Sequence, residues 1–184
     1  QMIVNTMGVS VVAAFTAVNR IDDFAYTPEQ NIAHSMTALM AQNKGVGKKN
    51  RMQEGFRCGM VLESIYGIFI FLVCFIFAKP LMCLFVQNEE VIMHGVTYLH
   101  LISIMYILPA FTNGIQGFFR GIGDLKITLI SSLVNMTVRV IVAAPLVFSL
   151  HLGIEALPYS YLAGWIGMLV VELPLLIRTY KAYE

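Results

Sequence analysis

Charged residues are scarce in this sequence, and their scarcity excludes several classes of protein. Only 12% of the 184 residues are charged and 58% are hydrophobic, whereas a soluble domain carries about 25% charged residues. The net charge of +1 provides no basic surface of the kind that binds nucleic acid. The composition therefore predicts an integral membrane protein that has no nucleic-acid partner.

Cysteine is also rare, and the motifs of several enzyme classes are missing. Cys58, Cys74 and Cys83 have no spacing typical of a disulfide framework or a metal site. The sequence also contains no phosphate-binding glycine loop and no pattern of a catalytic triad. We therefore expect no enzymatic activity, no metal and no cofactor. The opening residues QMIVNTMGVSV lack the layout of a signal peptide, which predicts an internal piece of a longer protein.

Long apolar runs fill the second half of the chain. Four of them span about 60–78, 96–119, 127–150 and 152–177. Each is long enough to cross about 30 Å of hydrocarbon as a helix. Pro109 and Gly114 predict a kink in the second run. Together with one long polar helix, these runs predict an all-α integral membrane fold of about five full spans, preceded by the end of a sixth helix over residues 1–8 with Asn5 in the turn.

The long polar helix is predicted over residues 11–51. This stretch lacks the glycine, serine and proline clusters of a loop and keeps helical spacing, although Pro28 should kink it. An arc of about 100° on the helical wheel holds Thr16, Arg20, Asp23, Thr27, Gln30, Asn31 and His34. Asp22, Tyr26 and Glu29 lie beside this arc. The opposite side holds Ala17, Val18, Ile21, Phe24, Ala25, Ile32, Met36 and Leu39. The pattern predicts a polar stripe that lines a water-filled cavity.

The charges of this stripe also have a structural explanation. Arg20 and Asp23 are spaced to form an ion pair within the helix that lowers the cost of burying both. Such a pair leaves Asp22 and Glu29 unexplained, so a cavity explains more of the pattern. His34 alone is a weak signal for a proton relay, because a single histidine is more often a hydrogen-bonded core residue.

Arg139 and Glu172 lie deep inside the later apolar runs. Arg139 is either a counter-ion for Asp22, Asp23 or Glu172, or a donor to carbonyls freed by a kink, and the sequence leaves both explanations open. Glu172 lies close to Arg178, so we expect its side chain to reach the cytoplasmic interface.

Lysine and arginine residues are distributed unevenly between the two sides of the membrane. Five lie in the 44–57 connection, two in 120–126 and two at 178–181, whereas Lys79 stands alone on the opposite side. Cytoplasmic loops carry such an excess of basic residues. The pattern predicts that the C-terminus and the 44–57 connection are cytoplasmic.

Two segments resemble a known family. VVAAFTAVNRIDDFAYTPEQNI, followed by AQNKGVGKKNR, resembles the eighth transmembrane helix and following loop of multidrug and toxic compound extrusion (MATE) transporters, although Ala41 and Val46 replace smaller residues. FRGIGD, residues 119–124, resembles the family's LRGxGD segment after the tenth helix. The matching motif residues are Gln42, Gly45, Arg120, Gly121, Gly123 and Asp124.

The resemblance covers the whole chain and implies an architecture and a function. Residues 1–184 would be the C-terminal six-helix lobe of a multi-pass cell-membrane transporter, with the N-terminal lobe as an absent partner. Family members export organic cations and other drugs in exchange for H⁺ or Na⁺ by alternating access, so drug-like molecules and the lipid bilayer are the implied partners. Some members place a carboxylate in the tenth helix, where residues 104–116 offer Pro109, Asn113 and Gln116 instead, so the coupling ion stays open.

These arguments select candidate residues and leave two rival functions. The ion-coupling and cavity residues are expected to be Arg20, Asp22, Asp23, Tyr26, Glu29, Gln30, Asn31 and His34, with Asn113, Gln116, Arg139 and Glu172 as possible partners. Movement of Arg20 would change the proton affinity of a partly buried carboxylate. A flippase for lipid-linked precursors would favour a more cationic cavity. A membrane scaffold would instead show faces of small residues as its chief feature.

Overall fold

The computed structural model describes Val4, residues 7–150 and residues 152–181. The predicted helix end over residues 1–8, with its turn at Asn5, lies largely outside this part of the chain. The regular structure of the described residues is entirely helical. Its seven helices are α1 Val9–Gly45, α2 Lys49–Ile76, α3 Ala78–Cys83, α4 Glu89–Ser103, α5 Ile107–Gly121, α6 Leu125–Phe148 and α7 Ala156–Lys181.

The lengths of these helices confirm an all-α membrane fold. Three of them, α2, α6 and α7, are long and apolar enough to cross a bilayer, and the α4–α5 pair makes a fourth span if it is counted as one bent element. The 37 residues of α1 extend about 55 Å, so this helix is also long enough, but its polar side chains make it less apolar than the others. The basic residues Arg51 and Arg57 lie on α2, not in a loop.

The predicted kink in the second apolar run is present. Helices α4 and α5 meet at a short break after Ser103 with a bend of 51°. Pro109 lies in the first turn of α5, where a missing backbone N–H removes no helical hydrogen bond. Tyr106 lies in the break itself, fully buried. The bend therefore directs Tyr106 into the interior of the lobe.

Helix α1 runs through Pro28 without interruption and forms the centre of the lobe. Its interior face is lined by small residues, including Ala14, Ala25 and Ala33, each at most 1% exposed. These small side chains let neighbouring helices approach closely.

Helix α5 approaches α1 closely at two glycines. A Cβ atom on Gly117 would lie 2.7 Å from the carbonyl oxygen of Ala33, and one on Gly121 would lie 2.7 Å from that of Thr37. The Thr37 hydroxyl group lies 3.1 Å from the Gly117 carbonyl oxygen, which accepts its hydrogen bond. Only glycine fits at Gly117 and Gly121 without moving one helix away from the other.

The outer faces of α2 and α6 are apolar. Large side chains there are 46–65% exposed on the surface of the lobe: Val61, Leu62, Ile65, Ile68, Phe69, Leu72, Leu129, Ile130, Leu133, Met136, Val140 and Ile141. A soluble protein does not expose so large a continuous apolar surface. These faces suit contact with the acyl chains of a bilayer.

Candidate substrate and ion site

The predicted polar stripe of α1 lies on the surface of the lobe. Exposed side chains along it are Thr16, Arg20, Asp23, Thr27, Gln30, Asn31 and His34. His34 is therefore not a core histidine. Arg20 and Asp23 form no ion pair within 4.0 Å, so the pair that offered a structural explanation of these charges is not formed. Their charged groups face outward.

The wheel placed two acidic residues wrongly. Asp22 and Glu29 were expected beside the stripe, but they point into the lobe and are 9% and 0% exposed. They lie two helical turns apart, on the same face as Val18 and Ala25. The partly buried Tyr26 lies between them at the edge of this face. The lobe therefore carries two polar surfaces on α1, one outside and one inside.

Asp22 is held by a residue from the bend. The Tyr106 hydroxyl group donates a hydrogen bond to Oδ1 of Asp22 at 2.5 Å. The rings of Tyr26 and Tyr106 pack edge to face with their centroids 5.4 Å apart. A buried carboxylate needs such a donor, because burial removes its hydration. Tyr106 thereby connects α1 to the break between α4 and α5.

Glu29 faces a second buried acid that the sequence argument missed. Glu63 on α2 is also 0% exposed, and it lies within electrostatic range of Glu29. None of their four carboxyl oxygens has a hydrogen-bond partner among the described residues, although the Asn113 side chain lies next to Glu29. Glu63 interrupts an apolar run. The high cost of a charged residue inside a membrane span would have marked it as a candidate from the sequence.

Glu172 does not reach the cytoplasmic interface as expected. It is 0% exposed, and the Gln116 side-chain amide donates a hydrogen bond to its Oε1 at 3.1 Å. Ser131 of α6 lies nearby. The expectation failed because Glu172 is on the face of α7 that packs into the lobe, whereas Arg178 is exposed. The structure does bring the predicted partners Gln116 and Glu172 together.

Arg139 contacts an aromatic ring, which neither of the two explanations from the sequence predicted. Its guanidinium carbon lies 3.4 Å from the ring centroid of Tyr161, and its stem packs against Gly164. No ion pair joins it to Asp22, Asp23 or Glu172. A cation–π contact of this kind stabilises a charge away from bulk water.

Two cavities open beside these groups. A polar cleft of about 240 Å³ lies between α5, α6 and α7, and its polar lining residues are Thr112, Asn113, Gln116, Ser132 and Asn135. A more apolar groove of about 340 Å³ lies between α1 and α2, and its lining includes Asn31, Ser35, Met36, Cys58 and Leu62. The groove borders the polar stripe, and the cleft borders the buried acids.

The predicted motif residues lie at the ends of α1 and α5 and in the connection that follows α5. Gly123 has a φ of +84°, which favours glycine, and the Asp124 backbone N–H donates to the Phe119 carbonyl group at 2.9 Å. The ammonium group of Lys44 donates to the Ile122 carbonyl group. The remaining motif residues are Gln42 and Gly45, exposed at the end of α1, Arg120, which is partly buried, and Gly121, which contacts α1. The motif therefore shapes a connection between helices.

Comparison with known proteins agrees with this architecture. A family model described as MatE matches residues 1–145. NorM of Thermotoga maritima, named as a probable multidrug resistance protein, is 23% identical over 150 residues, which cover 81% of this chain and 31% of NorM. YpnP of Bacillus subtilis, named in the same way, is 26% identical over 136 residues, which cover 74% of this chain and 31% of YpnP.

A solved structure has the same fold. A crystal structure of MATE in a bent conformation superposes with a TM-score of 0.93 at 15% identity, and the match covers 99% of this chain and 41% of that one. The chain thus spans about a third of the length of the curated relatives that it matches.

Proposed function

Because the chain belongs to the MatE family of membrane transporters, we propose that it is the C-terminal lobe of a two-lobe multidrug exporter. The complete protein would move organic, often cationic, compounds out of the cell in exchange for H⁺ or Na⁺ by alternating access. The rest of a longer chain would supply the N-terminal lobe. The C-terminus would be cytoplasmic, as the distribution of basic residues predicts.

The observation that carries this proposal is the exposure of the polar stripe. Each charged side chain that faces lipid at the centre of a helix costs about 2.5–3.5 kcal/mol on insertion scales. Arg20, Asp23 and His34 are nevertheless exposed on α1, whereas the exposed faces of α2 and α6 are apolar. A stripe of this kind suits one wall of a water-filled cavity between two lobes, with drug-sized molecules bound beside it.

Asp23 is our first candidate for the residue that binds the coupling ion. Its carboxylate is exposed on the stripe near Arg20 and forms no ion pair within 4.0 Å, which leaves it accessible to a cation. Asp22 is the second candidate, although it lies on the interior face. Arg20 would adjust the affinity of these carboxylates through its charge.

Accumulation of a cationic dye in cells tests this function. The complete protein should lower accumulation, and dissipation of the ion gradients should abolish the effect. Asp23→Asn should also abolish it, whereas Glu155→Gln, an exposed acid outside the stripe, should not. Normal export by the double variant Arg20→Gln, Asp23→Asn would contradict the coupling role, and export by residues 1–184 alone would contradict the two-lobe architecture.

A further inference from the structure

A second polar site lies inside the lobe, away from the exposed stripe. Glu29 of α1 and Glu63 of α2 are both 0% exposed, and their four carboxyl oxygens have no hydrogen-bond partner among the described residues. Buried polar groups are nearly always paired, so these unpaired buried oxygens require a physical explanation. The interior of the lobe therefore contains two unpaired acids within electrostatic range of each other.

Close helix packing keeps water away from the two acids. A Cβ atom on Gly114 of α5 would lie 3.6 Å from Cγ of Glu63 and 2.5 Å from the sulfur of Met60. Gly117, one turn further along α5, contacts the backbone of Ala33, one turn along α1 from Glu29. The three helices therefore meet around the pair and leave both side chains fully buried.

The groups that face the pair carry no compensating positive charge. Tyr26 of α1, Tyr66 of α2 and Asn113 of α5 are the polar neighbours of Glu29. No arginine, lysine or histidine of the described residues forms an ion pair with Glu29 or Glu63. Two uncompensated negative charges in one buried site repel each other and lose their hydration, so ionisation of one acid opposes ionisation of the other.

We propose that Glu29 and Glu63 form one proton-binding unit of the lobe, which exchanges its proton with the polar cleft through Asn113. Each proton enters as H⁺ from water in the cleft and converts one carboxylate to a carboxylic acid. Asn113 both lines the cleft and lies next to Glu29, so a small movement of its side chain connects the pair with water. The site is separate from Asp23, which faces the outer surface.

Infrared titration of the complete protein in lipid vesicles tests this unit. Protonated carboxylic acids have a carbonyl stretch that ionised carboxylates lack. The wild-type protein should lose the absorbance of this pair in two separate steps as pH rises, because interacting acids titrate as a pair. Glu29→Gln and Glu63→Gln should each leave a single step, and the double variant should lose both.

The control is Glu54→Gln, which alters an exposed acid on the same helix as Glu63 and should keep both steps. Circular dichroism establishes that each variant is folded. A double variant with the wild-type absorbance would overturn the proposal. Single variants would also overturn it if their remaining step occurred at the same pH as in the wild-type protein, because the two acids would then not interact. If the carboxylic acid band disappears when sodium is added at constant pH, the proposal is overturned in favour of a Na⁺ site.

Any use of this proton in transport rests on the proposed export function. A second measurement distinguishes a failure of the proton-binding unit from a failure of the export function. Dye exchange driven by a pH gradient should fall in the double variant, while dye binding is retained. If the wild-type protein moves no dye but shows both infrared steps, the export function fails and the proton-binding unit stands. If dye exchange is normal in the double variant, the unit has no part in coupling.

Discussion

The hydroxyl group of Tyr106 donates a 2.5 Å hydrogen bond to Asp22, and this bond fastens the bend of one span to the central helix of the lobe. Tyr106 lies between α4 and α5, where the chain turns by 51°. Its side chain is fully buried at this break. The bend and the buried acid are therefore parts of one arrangement.

Tyr106→Phe should destabilise the lobe by about 1–3 kcal/mol, because it leaves the buried Asp22 carboxylate without its donor. The same substitution should have a smaller effect in an Asp22→Asn background, where no charged acceptor is left. Thermal unfolding in detergent measures both effects, and Tyr159→Phe, at an exposed tyrosine, is the matched control. Equal effects of Tyr106→Phe in the two backgrounds would contradict a hydrogen bond that is strengthened by the charge of Asp22.

Gly117→Ala should separate α5 from α1. The new Cβ atom would lie 2.7 Å from the Ala33 carbonyl oxygen, and such overpacking costs about 1–3 kcal/mol. Gly153→Ala is the control, because nothing lies within 4 Å of its Cβ position. A lower unfolding temperature for the first variant and an unchanged one for the second are expected. Equal unfolding temperatures would mean that the helices yield easily at this contact.

Gln116→Leu should destabilise the lobe by removing the donor of Glu172, at a cost of about 1–3 kcal/mol. Glu172→Gln in the same protein should restore part of the loss, because a neutral amide is less costly to leave unpaired than a carboxylate. Gln87→Leu changes an exposed glutamine and serves as the control. The account of this pair fails if Glu172→Gln deepens the loss in thermal stability.

Labelling from outside the cell checks the orientation. In a protein whose native cysteines have been replaced, an impermeant thiol reagent should modify Asn88→Cys and should leave Lys48→Cys unmodified. The reason is the nine-to-one distribution of basic residues between the two sides. The reverse labelling pattern would invert the topology.

The sequence predicts where the helices lie along the chain better than it predicts which face of each helix is buried. Helical periodicity and the position of Pro109 predict the bent span and most of α1. The predicted helix over residues 11–51 extended too far, because α1 ends at Gly45 and α2 begins at Lys49. The same periodicity does not show which face of α1 packs inside, because lipid-facing side chains are as apolar as core ones. The helical wheel therefore places Phe24, which is 76% exposed, on the same side as the buried Val18 and Ala25.

Small residues give a better signal for the interior face of α1. Ala14, Ala25 and Ala33 mark the face that packs against other helices, and Asp22 and Glu29 lie on it. The buried contacts of Glu63 and Glu172 could not be predicted from the sequence, because they depend on which helices meet. The sequence shows only that both acids lie within apolar runs.

Accessibility of the stripe in the complete protein tests the central claim most directly. In a protein without native cysteines, Gln30→Cys should react with a hydrophilic thiol reagent, and a transported cationic dye should slow the reaction. Leu133→Cys, on the apolar face of α6 and 61% exposed in the lobe, should stay unmodified. A Gln30→Cys variant that is as unreactive as Leu133→Cys, or whose labelling is unaffected by the dye, would contradict a substrate cavity along α1.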